Sequence, residues 1–493
     1  MATVWVNGEP RQVAVGTRLS AVLSDLHHPC GGKGICGKCR IRATGALSSL
    51  SVMEERHLTA FEIADNVRLS CCTTVEGDCR VTVDTSAELS VIADGKTVET
   101  AIPTFASYGV AVDIGTTTLA ARLYDTGGRL LAQDGCANPQ ITFGADVLSR
   151  VGAAGEGADL TTPLQSAVNG LVSRLAQAAG IHATAIDGTV ITGNTAMLCL
   201  LTGTDTASLA RAPFGLPRAF GEALTAASVG LTALSPNRVV YLPPCASAFI
   251  GADAVCAAFS CGLGFDGHTA LLADMGTNGE MILSHQDTLY ACSTAAGPAF
   301  EGVGISCGLP AVTGAVDAVA LVNGQMVPHT IGGGKPNGIC GSGLVDAAAC
   351  LRMTEEMDET GAIPNESIAI TDGITLTGED IRALQQAKSA VCSGLQTLLH
   401  HAHLTADEVK TLYVAGGFGS GLNGHNAAAI GLIPSALAPR IETAGNAALD
   451  GASRLLLDAS AREKLTTIVD KIHIIELATD PYFTQQFIKN MSF

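Results

Sequence analysis

Hydrophobic and polar positions follow two different patterns along the chain, and the pattern changes near residue 108. In the N-terminal part, ATVWVNG and RQVAVG predict a β-hairpin with an Asn-Gly turn, and TRLSAVLSDL predicts a short helix. A helix-like stretch, SVMEERHLTAFEI, then precedes the alternating strand CRVTVDT. These elements predict a strand-rich domain of β-grasp pattern over residues 1–88, followed by a short linker over residues 89–107.

From residue 108 onward, strands alternate with helices, which is the pattern of a layered α/β domain. Two segments in this part, VAVDIGTTTLA and LLADMGTNGEM, resemble each other. Each is a buried strand that ends in an aspartate, Asp113 or Asp274, and continues through a Gly/Thr turn into a second strand. The repeat predicts two related halves, about 108–265 and 266–493, that face one another across a cleft.

A glycine- and cysteine-rich loop, PCGGKGICGKC, is the strongest local signal, with cysteines spaced C-x5-C-x2-C. Four thiolates hold the irons of a 2Fe–2S cluster, and glycines let the backbone wrap closely round the sulfurs. A fourth thiol follows in RLSCCTTV, where the first cysteine fits the RLxC turn of ferredoxins better than the second. A zinc site is the alternative, but zinc usually takes two paired cysteine knuckles and only one is present. The predicted cluster ligands are Cys30, Cys36, Cys39 and Cys71.

The two Asp-Gly-Thr segments predict a pair of phosphate loops. Glycine permits close approach of a phosphate, and backbone amides and hydroxyls can bind its oxygens. The aspartate can hold Mg²⁺, usually through water. One such segment would be a weak signal, whereas two at equivalent places of a repeat are a strong one. The predicted residues are Asp113, Gly115, Thr116, Thr117 and Thr118 in the first loop and Asp274, Gly276, Thr277 and Asn278 in the second.

Three later segments add candidates to the same site. In YVAGGFGSG, Gly416, Gly417 and Gly419 leave room for a flat adenosine ring. In GPAFEGVG, Glu301 could orient a water or bind the metal, or could cap a helix. The segment GICGSGLVD predicts a glycine turn into a helix N-terminus, which serves either anion binding or close packing. The Walker pattern is absent.

Composition and charge limit the class of protein. Hydrophobic residues make up 47% and charged residues 15% of the 493 residues, which excludes a disordered chain. The net charge of −18 argues against nucleic acid as a partner. The start of the chain lacks an apolar leader, and the most apolar stretch, residues 239–265, is interpreted as a buried helix rather than a membrane span. We therefore expect a cytoplasmic protein whose 16 cysteines are thiols and metal ligands.

The paired phosphate loops and the late GGFG resemble the acetate and sugar kinase, heat-shock chaperone and actin superfamily over about residues 108–493. That resemblance implies two lobes that clasp Mg-ATP. Three further features narrow the choice: NPQ followed by FGAD and SR, the segment ITGNTAM, and the segment AAGPAFEG. Together with the ferredoxin-like N-terminus, they make the chain similar to the reductive activators of corrinoid-dependent methyltransferase proteins.

This resemblance implies a fold of mixed α/β and α+β class: a β-grasp 2Fe–2S ferredoxin domain, then a two-lobed actin-like ATPase domain with duplicated halves. It also implies a function, the ATP-dependent transfer of one electron from the cluster to Co(II) of a corrinoid protein, which regenerates Co(I). In that reaction Asp113, Asp274 and Glu301 would be the catalytic residues, with 2Fe–2S, ATP and Mg²⁺ as cofactors. A low-potential electron donor is implied, and a homodimer is allowed. Some members have a long linker domain, whereas about 20 residues link the two parts here.

Three other functions stay open from the residues alone. An activator of a dehydratase or other redox enzyme also couples ATP to electron transfer, but such activators use a 4Fe–4S cluster between two subunits. A small-molecule kinase with a regulatory ferredoxin domain would need a base for the substrate hydroxyl, and none is evident. An ATP-gated binding module would use the cluster structurally. Ser293 could face a partner's cofactor or pack internally, and the HHAH segment that starts at His400 could bind metal or end a helix.

Overall fold

The computed structural model describes most of the chain in two compact units. The described residues are 1–23, 26, 32, 34, 37, 39–58, 60–83, 102–144, 146–265, 267–419 and 421–493. The first unit comprises Met1–Glu88 with Pro139–Pro163, and the second comprises Leu89–Asn138 with Leu164–Phe493. Among the described residues, no helix combines the length and apolar character that a membrane crossing requires. The domain boundaries at residues 88, 107 and 265 stay predictions.

The first unit contains a five-stranded mixed sheet in the order β2-β1-β5-β3-β4. The predicted hairpin between β1 and β2 is confirmed, and Asn7 and Gly8 form its turn with φ angles of 49° and 92°. Strands β1 and β5, the first and last strands of the sheet in chain order, pair in parallel with each other. Its elements are β1 Ala2–Val6, β2 Glu9–Val13, α1 Leu19–Val22, β3 Arg40–Leu47, α2 Val52–His57, α3 Ala60–Ala64, β4 Val67–Leu69, β5 Val75–Thr82 and α4 Val147–Gly155.

A buried carboxylate organises the helical side of this unit. Glu54 forms a capping box with Ser51 at the start of α2. Its carboxylate also accepts hydrogen bonds from Arg68 and from the backbone of Leu69. The predicted helix-like stretch is divided into α2 and α3, because buried Leu58 takes an extended backbone at the end of α2.

The second unit contains two six-stranded sheets, two small sheets and ten α-helices among its described residues. The first large sheet consists of β6 Tyr108–Ile114, β7 Thr118–Asp125, β8 Leu130–Ala137, β9 Ile186–Gly193, β10 Glu222–Thr225 and β11 Val239–Leu242. The second consists of β12 Ala270–Met275, β13 Gly279–His285, β14 Thr288–Thr294, β20 Thr411–Ala415, β21 Ile441–Gly445 and β22 Ile472–Ile474. The small sheets contain β15 Ala315–Val322, β16 Gln325–Thr330, β17 Gly338–Ile339, β18 Ser367–Thr371 and β19 Ile374–Thr377. The helices are α5 Thr161–Ala178, α6 Thr195–Thr202, α7 Ala252–Ser260, α8 Gly341–Met353, α9 Gly378–His401, α10 Gly416–Gly419, α11 Gly424–Ala429, α12 Ala447–Leu457, α13 Ala461–Asp470 and α14 Pro481–Lys489.

Five strands of each large sheet share one pattern of strand pairing, as the repeat predicted from the sequence requires, and the sixth strand is added at opposite edges. Their strand orders are β10-β11-β9-β6-β7-β8 and β21-β20-β12-β13-β14-β22. In each sheet the strand that ends near an aspartate, β6 or β12, pairs antiparallel with its hairpin partner and parallel with a later strand, β9 or β20. Asp113 and Asp274 therefore occupy equivalent places, opposite Thr192 and Ala415 respectively.

Two helices pack between the large sheets. Buried side chains of α7 and α12 form one hydrophobic cluster with Ala111 and Val190 of the first sheet and Leu272 and Ile282 of the second. The N-termini of both helices thereby come close to the ends of β6 and β12. The apolar stretch 239–265 contains strand β11 and helix α7, so its interpretation as a single buried helix is wrong.

Candidate functional site

The first Asp-Gly-Thr segment forms a tight loop between β6 and β7. The Gly115 N–H donates to the Thr118 carbonyl oxygen at 2.9 Å, and a Cβ at Gly115 would lie 2.7 Å from that oxygen. Asn138 supports the loop: its backbone N–H donates to the Thr117 carbonyl at 2.8 Å, and its side-chain amide donates to the Gly115 carbonyl at 2.9 Å. Hydrogen bonds accepted by the carbonyl oxygens of Gly115, Thr117 and Thr118 therefore hold the loop in this conformation.

Thr116, at the tip of this loop, contacts a second asparagine. The Asn194 amide donates to the Thr116 hydroxyl at 3.2 Å, while the Asn194 side-chain oxygen caps α6 by accepting from the Met197 N–H at 2.9 Å. This contact links the first loop to the segment ITGNTAM. Thr118 is the first residue of β7.

The second Asp-Gly-Thr segment forms the corresponding loop between β12 and β13. The Gly276 N–H donates to the Asn278 carbonyl oxygen at 3.1 Å, two residues along the chain, whereas the Gly115 N–H of the first loop reaches a carbonyl three residues along. The Thr277 carbonyl accepts from the Gly297 N–H at 3.0 Å, so the loop contacts the segment that leads to Glu301. Each loop is thus closed by a hydrogen bond from its glycine N–H to a carbonyl oxygen further along the loop.

Glu301 joins the two loops. Its Oε1 accepts from both the N–H and the hydroxyl of Thr277 at 2.8 Å each. Its Oε2 accepts from the Thr117 hydroxyl at 3.3 Å. Glu301 lies in a single 3-10 turn, Pro298–Glu301, and its carboxylate contacts these loops rather than capping that turn. The two predicted phosphate loops therefore face each other across a single carboxylate.

Four further carboxyl groups lie beside these loops and raise one another's pKa. Burial raises the pKa of Asp113 to about 7, with a further contribution from Asp274. Burial raises the pKa of Asp274 to about 6, with Glu301 adding to it. The pKa of Asp253 is raised to about 7, first by burial and then by Asp113. The pKa of Glu280 is raised well above its ordinary value by burial, then by Asp253 and Asp274. Each group is costly to ionise without a cation.

This set of oxygen donors suits a hard divalent cation that keeps part of its water shell. In the described part of the chain, no group of three His, Cys, Asp or Glu side chains is close enough to hold a metal by itself. Waters and phosphate oxygens would have to complete the coordination of Mg²⁺ here. That requirement matches a metal that arrives bound to a nucleotide.

The late glycine segment lies against the second aspartate. Gly416 has a φ of 81°, and a Cβ there would lie 2.7 Å from Asp274 Oδ1, so only glycine fits beside that carboxylate. Gly416–Gly419 forms the short helix α10 rather than an open turn. Gly417 is exposed, whereas Gly419 is buried and its missing side chain leaves room for Val414.

The glycines of GICGSGLVD serve close packing. A Cβ at Gly341 would lie 2.2 Å from the Phe300 carbonyl oxygen, and one at Gly343 would lie 2.3 Å from the Val316 carbonyl oxygen. Phe300 also stacks on Phe418 with ring centroids 4.5 Å apart. The packing alternative accounts for these glycines, and helix α8 thereby supports the turn that carries Glu301.

Two of the four predicted cluster ligands lie among the described residues. The sulfurs of Cys39 and Cys71 are 3.1 Å apart, and both residues are buried. Cys72 is more exposed, and its sulfur is 3.7 Å from that of Cys71. Hydrogen bonding to Cys39 and burial raise the pKa of the Cys71 thiol. Cys30 and Cys36 lie outside the described residues.

Two weaker candidates are also located. Ser293 lies directly opposite Glu280, which lies opposite Asp274, so the three share one face of the second sheet. His401 Nε2 donates to the Asp480 carboxylate at 2.7 Å, and the His400 ring stacks on Tyr482 with centroids 3.9 Å apart. The HHAH segment thus connects the end of α9 to α14, and the interpretation as a helix end is favoured.

Sequence reasoning missed three polar residues of the cleft: Asp253, Glu280 and Asn446. Asp253 is in the first turn of α7 and Asn446 caps α12, so each follows a general helix-start signal that does not reveal its target. Glu280 belongs to the segment LLADMGTNGEM. Polar Glu280 precedes apolar Met281 in the second strand of this hairpin, and this alternation could have indicated that Glu280 lies on the same face of the sheet as Asp274.

Comparison with known proteins assigns the chain to a family. Residues 108–265 match the RACo middle region, and residues 268–493 match the C-terminal domain of RACo, the ASKHA domain. The corrinoid activation enzyme RamQ of Eubacterium limosum is 33% identical over 446 residues, which cover 82% of this chain and 74% of that enzyme. This chain belongs to the RACo family.

Two further comparisons agree with membership of the RACo family. The Co(II) methylated amine-specific corrinoid protein reductase of Methanosarcina barkeri is 24% identical over 422 residues, covering 78% of this chain and 77% of the reductase. A solved structure, the reductive activator for corrinoid, iron-sulfur protein, matches with a TM-score of 0.70 at 26% identity and covers 100% of this chain and 98% of that one. The predicted resemblance is confirmed, and the second unit contains the actin-like ATPase fold of the RACo family.

Proposed function

We propose that this protein uses ATP to drive one electron from its own 2Fe–2S cluster to Co(II) of a partner corrinoid protein. In the balanced reaction, one electron from the cluster would reduce Co(II) of the partner to Co(I), and ATP and water would be converted to ADP and phosphate. A separate low-potential donor then reduces the cluster again. The relatives of the RACo family named above, a corrinoid activation enzyme and a corrinoid protein reductase, support this assignment.

The single observation that carries the ATP part is the contact of Glu301 with both phosphate loops. Thr117 and Thr277, from the two halves of the repeat, both donate hydrogen bonds to the Glu301 carboxylate. The carboxylate is an anion, and a phosphate bound here would need the same hydrogen-bond donors. We propose that the nucleotide phosphates bind between these loops. The assigned phosphate contacts are Gly115, Thr116, Thr117, Thr118, Gly276, Thr277 and Asn278, with Gly416 and Gly417 beside the adenosine.

Mg²⁺ would be held mainly through water by Asp113 and Asp274. Asp113, Asp274 and Asp253 repel one another, and a bound cation would relieve that repulsion. All of their donor atoms are oxygens, which Mg²⁺ prefers. When bound, the metal supplies charge neutralisation for the phosphates. Asp113 and Asp274 would hold the hydrated metal as hydrogen-bond acceptors, and Glu301 would orient the attacking water.

The 2Fe–2S cluster would be held by Cys30, Cys36, Cys39 and Cys71. The fit is supported by the paired buried sulfurs of Cys39 and Cys71. The mixed sheet order β2-β1-β5-β3-β4, with its parallel β1–β5 pair, also supports a β-grasp ferredoxin domain. When bound, the cluster supplies a one-electron carrier. Cys72 is assigned no ligand role, because Cys71 occupies the cysteine position of the RLxC turn and its sulfur is the one paired with that of Cys39.

The coupling requires that ATP change how the protein docks on its partner. ATP can alter an uphill transfer only through a difference in free energy between two docked states. A cleft formed by two halves, with acidic groups that repel one another until a cation binds, provides two such states. The negative charge of −18 is consistent with a protein partner rather than nucleic acid, and we propose a cytoplasmic location, with a homodimer allowed.

The test is an anaerobic mixture of reduced protein, a Co(II) corrinoid protein and Mg-ATP. We expect the absorption band of Co(I) to appear with ATP and not with a non-hydrolysable analogue. Asp113→Asn should abolish the ATP-dependent signal while the cluster absorption is retained, and Cys71→Ser should abolish both. Formation of Co(I) at the same rate without ATP would refute the coupling.

A further inference from the structure

Helix α12 crosses from one half of the second unit to the other. It follows β21, a strand of the second large sheet, by a single residue, Asn446. Its side chains then bind the first large sheet: Asp450 accepts from Arg122 at 2.6 Å, and Ser453 accepts from Tyr124 at 3.1 Å. The start of α12 is therefore the place where the backbone passes from the second half onto the first.

Hydrogen bonds from both ends of the Asn446 side chain meet at this crossing point. Its Oδ1 accepts from the Leu449 N–H at 2.8 Å and caps α12. Its Nδ2 donates to Asp113 Oδ2 at 3.0 Å. Only one orientation of the amide satisfies both partners, because the backbone N–H needs an acceptor and the carboxylate needs a donor. Both ends of the side chain are therefore specified.

We propose that Asn446 is a positioning residue for the nucleotide site, which rests on the proposed binding of Mg-ATP. It aims the Asp113 carboxylate and connects that carboxylate to the first turn of α12. Asp113 stands among Asp253 and Asp274, so a neutral donor is needed to keep its orientation without adding charge. Because Asn446 is both the donor and the cap, a displacement of Asp113 by the metal–nucleotide complex is passed directly to the helix that spans both halves.

The two jobs of Asn446 can be separated by substitution. Asn446→Ser keeps a side-chain oxygen suited to capping α12 but removes the donor to Asp113. Asn446→Asp keeps the cap and the size but places a second carboxylate against Asp113. Asn169→Ser is the matched control, because the Asn169 side chain likewise donates through its amide, to the Gly230 carbonyl at 2.9 Å, and accepts from a backbone N–H, that of Ala233 at 2.9 Å, outside the nucleotide loops.

Three measurements on each full-length variant decide the proposal: the melting temperature, the dissociation constant of Mg-ATP by calorimetry, and kcat and KM for ATP hydrolysis. We expect Asn446→Ser to melt close to wild type. Loss of a hydrogen bond to a charged group should lower its kcat for hydrolysis, or its affinity for Mg-ATP, roughly tenfold or more. Asn446→Asp should shift the concentration of Mg²⁺ needed for half-maximal ATP binding, and Asn169→Ser should change none of the nucleotide parameters.

The outcomes separate this proposal from the proposed function. If wild type binds and hydrolyses Mg-ATP while both Asn446 variants match it within about twofold, a range too small for a lost charged hydrogen bond, the positioning role is wrong and the ATP site stands. If Asn446→Ser loses activity only in proportion to lost folded protein, Asn446 is a helix cap alone and the proposal is overturned. If wild type itself fails to bind Mg-ATP, the proposed function fails, and the positioning role fails with it.

Discussion

Glu301 and Thr277 form a two-point contact, in which the Thr277 N–H and hydroxyl both donate to the same Glu301 oxygen at 2.8 Å. The other oxygen of Glu301 accepts from Thr117 of the opposite loop at 3.3 Å. These donors are the ones that our proposal assigns to ATP phosphates. Glu301 must therefore release at least part of this contact when a nucleotide binds, which makes it the link between the closed loops and the occupied site.

Glu301→Gln should separate binding from hydrolysis. The amide retains an oxygen for Thr277 but removes a negative charge beside the phosphates, so we expect unchanged or tighter ATP binding. If Glu301 orients the attacking water, kcat should fall about 100-fold, the range for loss of a general base. Calorimetry and steady-state hydrolysis measure the two quantities. Glu408→Gln, at a capping box of a short 3-10 turn, is the control. Equal loss of affinity and kcat would contradict the assignment.

Asp113→Asn and Asp450→Asn should change stability in opposite directions. Asp113 faces like charges, so its neutral variant should be as stable as metal-free wild type or more stable, while ATP hydrolysis is lost. Asp450 instead pairs with Arg122, with both side chains buried, and its neutral variant should lose about 3 kcal/mol of unfolding free energy. Chemical denaturation in EDTA measures both. A large destabilisation by Asp113→Asn would contradict the electrostatic account of the site.

The paired cysteines provide a test of the cluster assignment. Cys71→Ser should lower the iron content well below the two irons of a 2Fe–2S cluster and disturb the visible spectrum. Cys72→Ser, its neighbour, should leave both close to wild type. Iron analysis and absorption of anaerobically purified protein make the comparison. The reverse result would make Cys72 the fourth ligand instead of Cys71. If both variants kept the iron content and spectrum of wild type, neither cysteine would be a cluster ligand.

Glu54 should make the first unit sensitive to acid. Hydrogen bonds from Arg68 and the backbone outweigh burial and hold its pKa at about 2, below the usual 4.5. A lowered pKa stabilises the fold above about pH 4.5, and that stability is lost as the pH falls toward 2. Glu54→Gln should cost about 3 kcal/mol at pH 7 and remove this acid dependence.

The chain offers a direct probe of that change, because its single tryptophan, Trp5, lies in strand β1 of the first unit. Fluorescence during denaturation at pH 7 and pH 3 should show the loss in wild type but not in Glu54→Gln. Glu55→Gln is the control, since Glu55 is the exposed neighbour on the same helix. An equal effect of both substitutions would assign the change to net charge rather than to the buried contacts.

Local patterns in the sequence were sufficient for the elements and for the repeat. A buried strand with Asp near its end, followed by Gly and Thr, predicts a hairpin within a few residues, and both segments form one. The Asn-Gly hairpin is equally local, since the turn residues select the conformation. The same approach failed for residues 239–265, where a uniformly apolar stretch gave no period that separates strand β11 from helix α7.

The sequence by itself predicted the phosphate loops and the cluster ligands and determined the two hairpins that contain the Asp-Gly-Thr segments, because glycine, threonine and thiol spacing act over a few residues. Only the tertiary structure decided which groups complete the site. Asn446 lies 333 residues from Asp113, and the two meet because sheet pairing and the packing of α12 bring a helix start to a strand end. Asp253, in the first turn of α7, comes close to Asp113 for the same reason. The local alternation of hydrophobic and polar residues cannot predict these contacts, because they depend on how the two sheets pack around the helices between them.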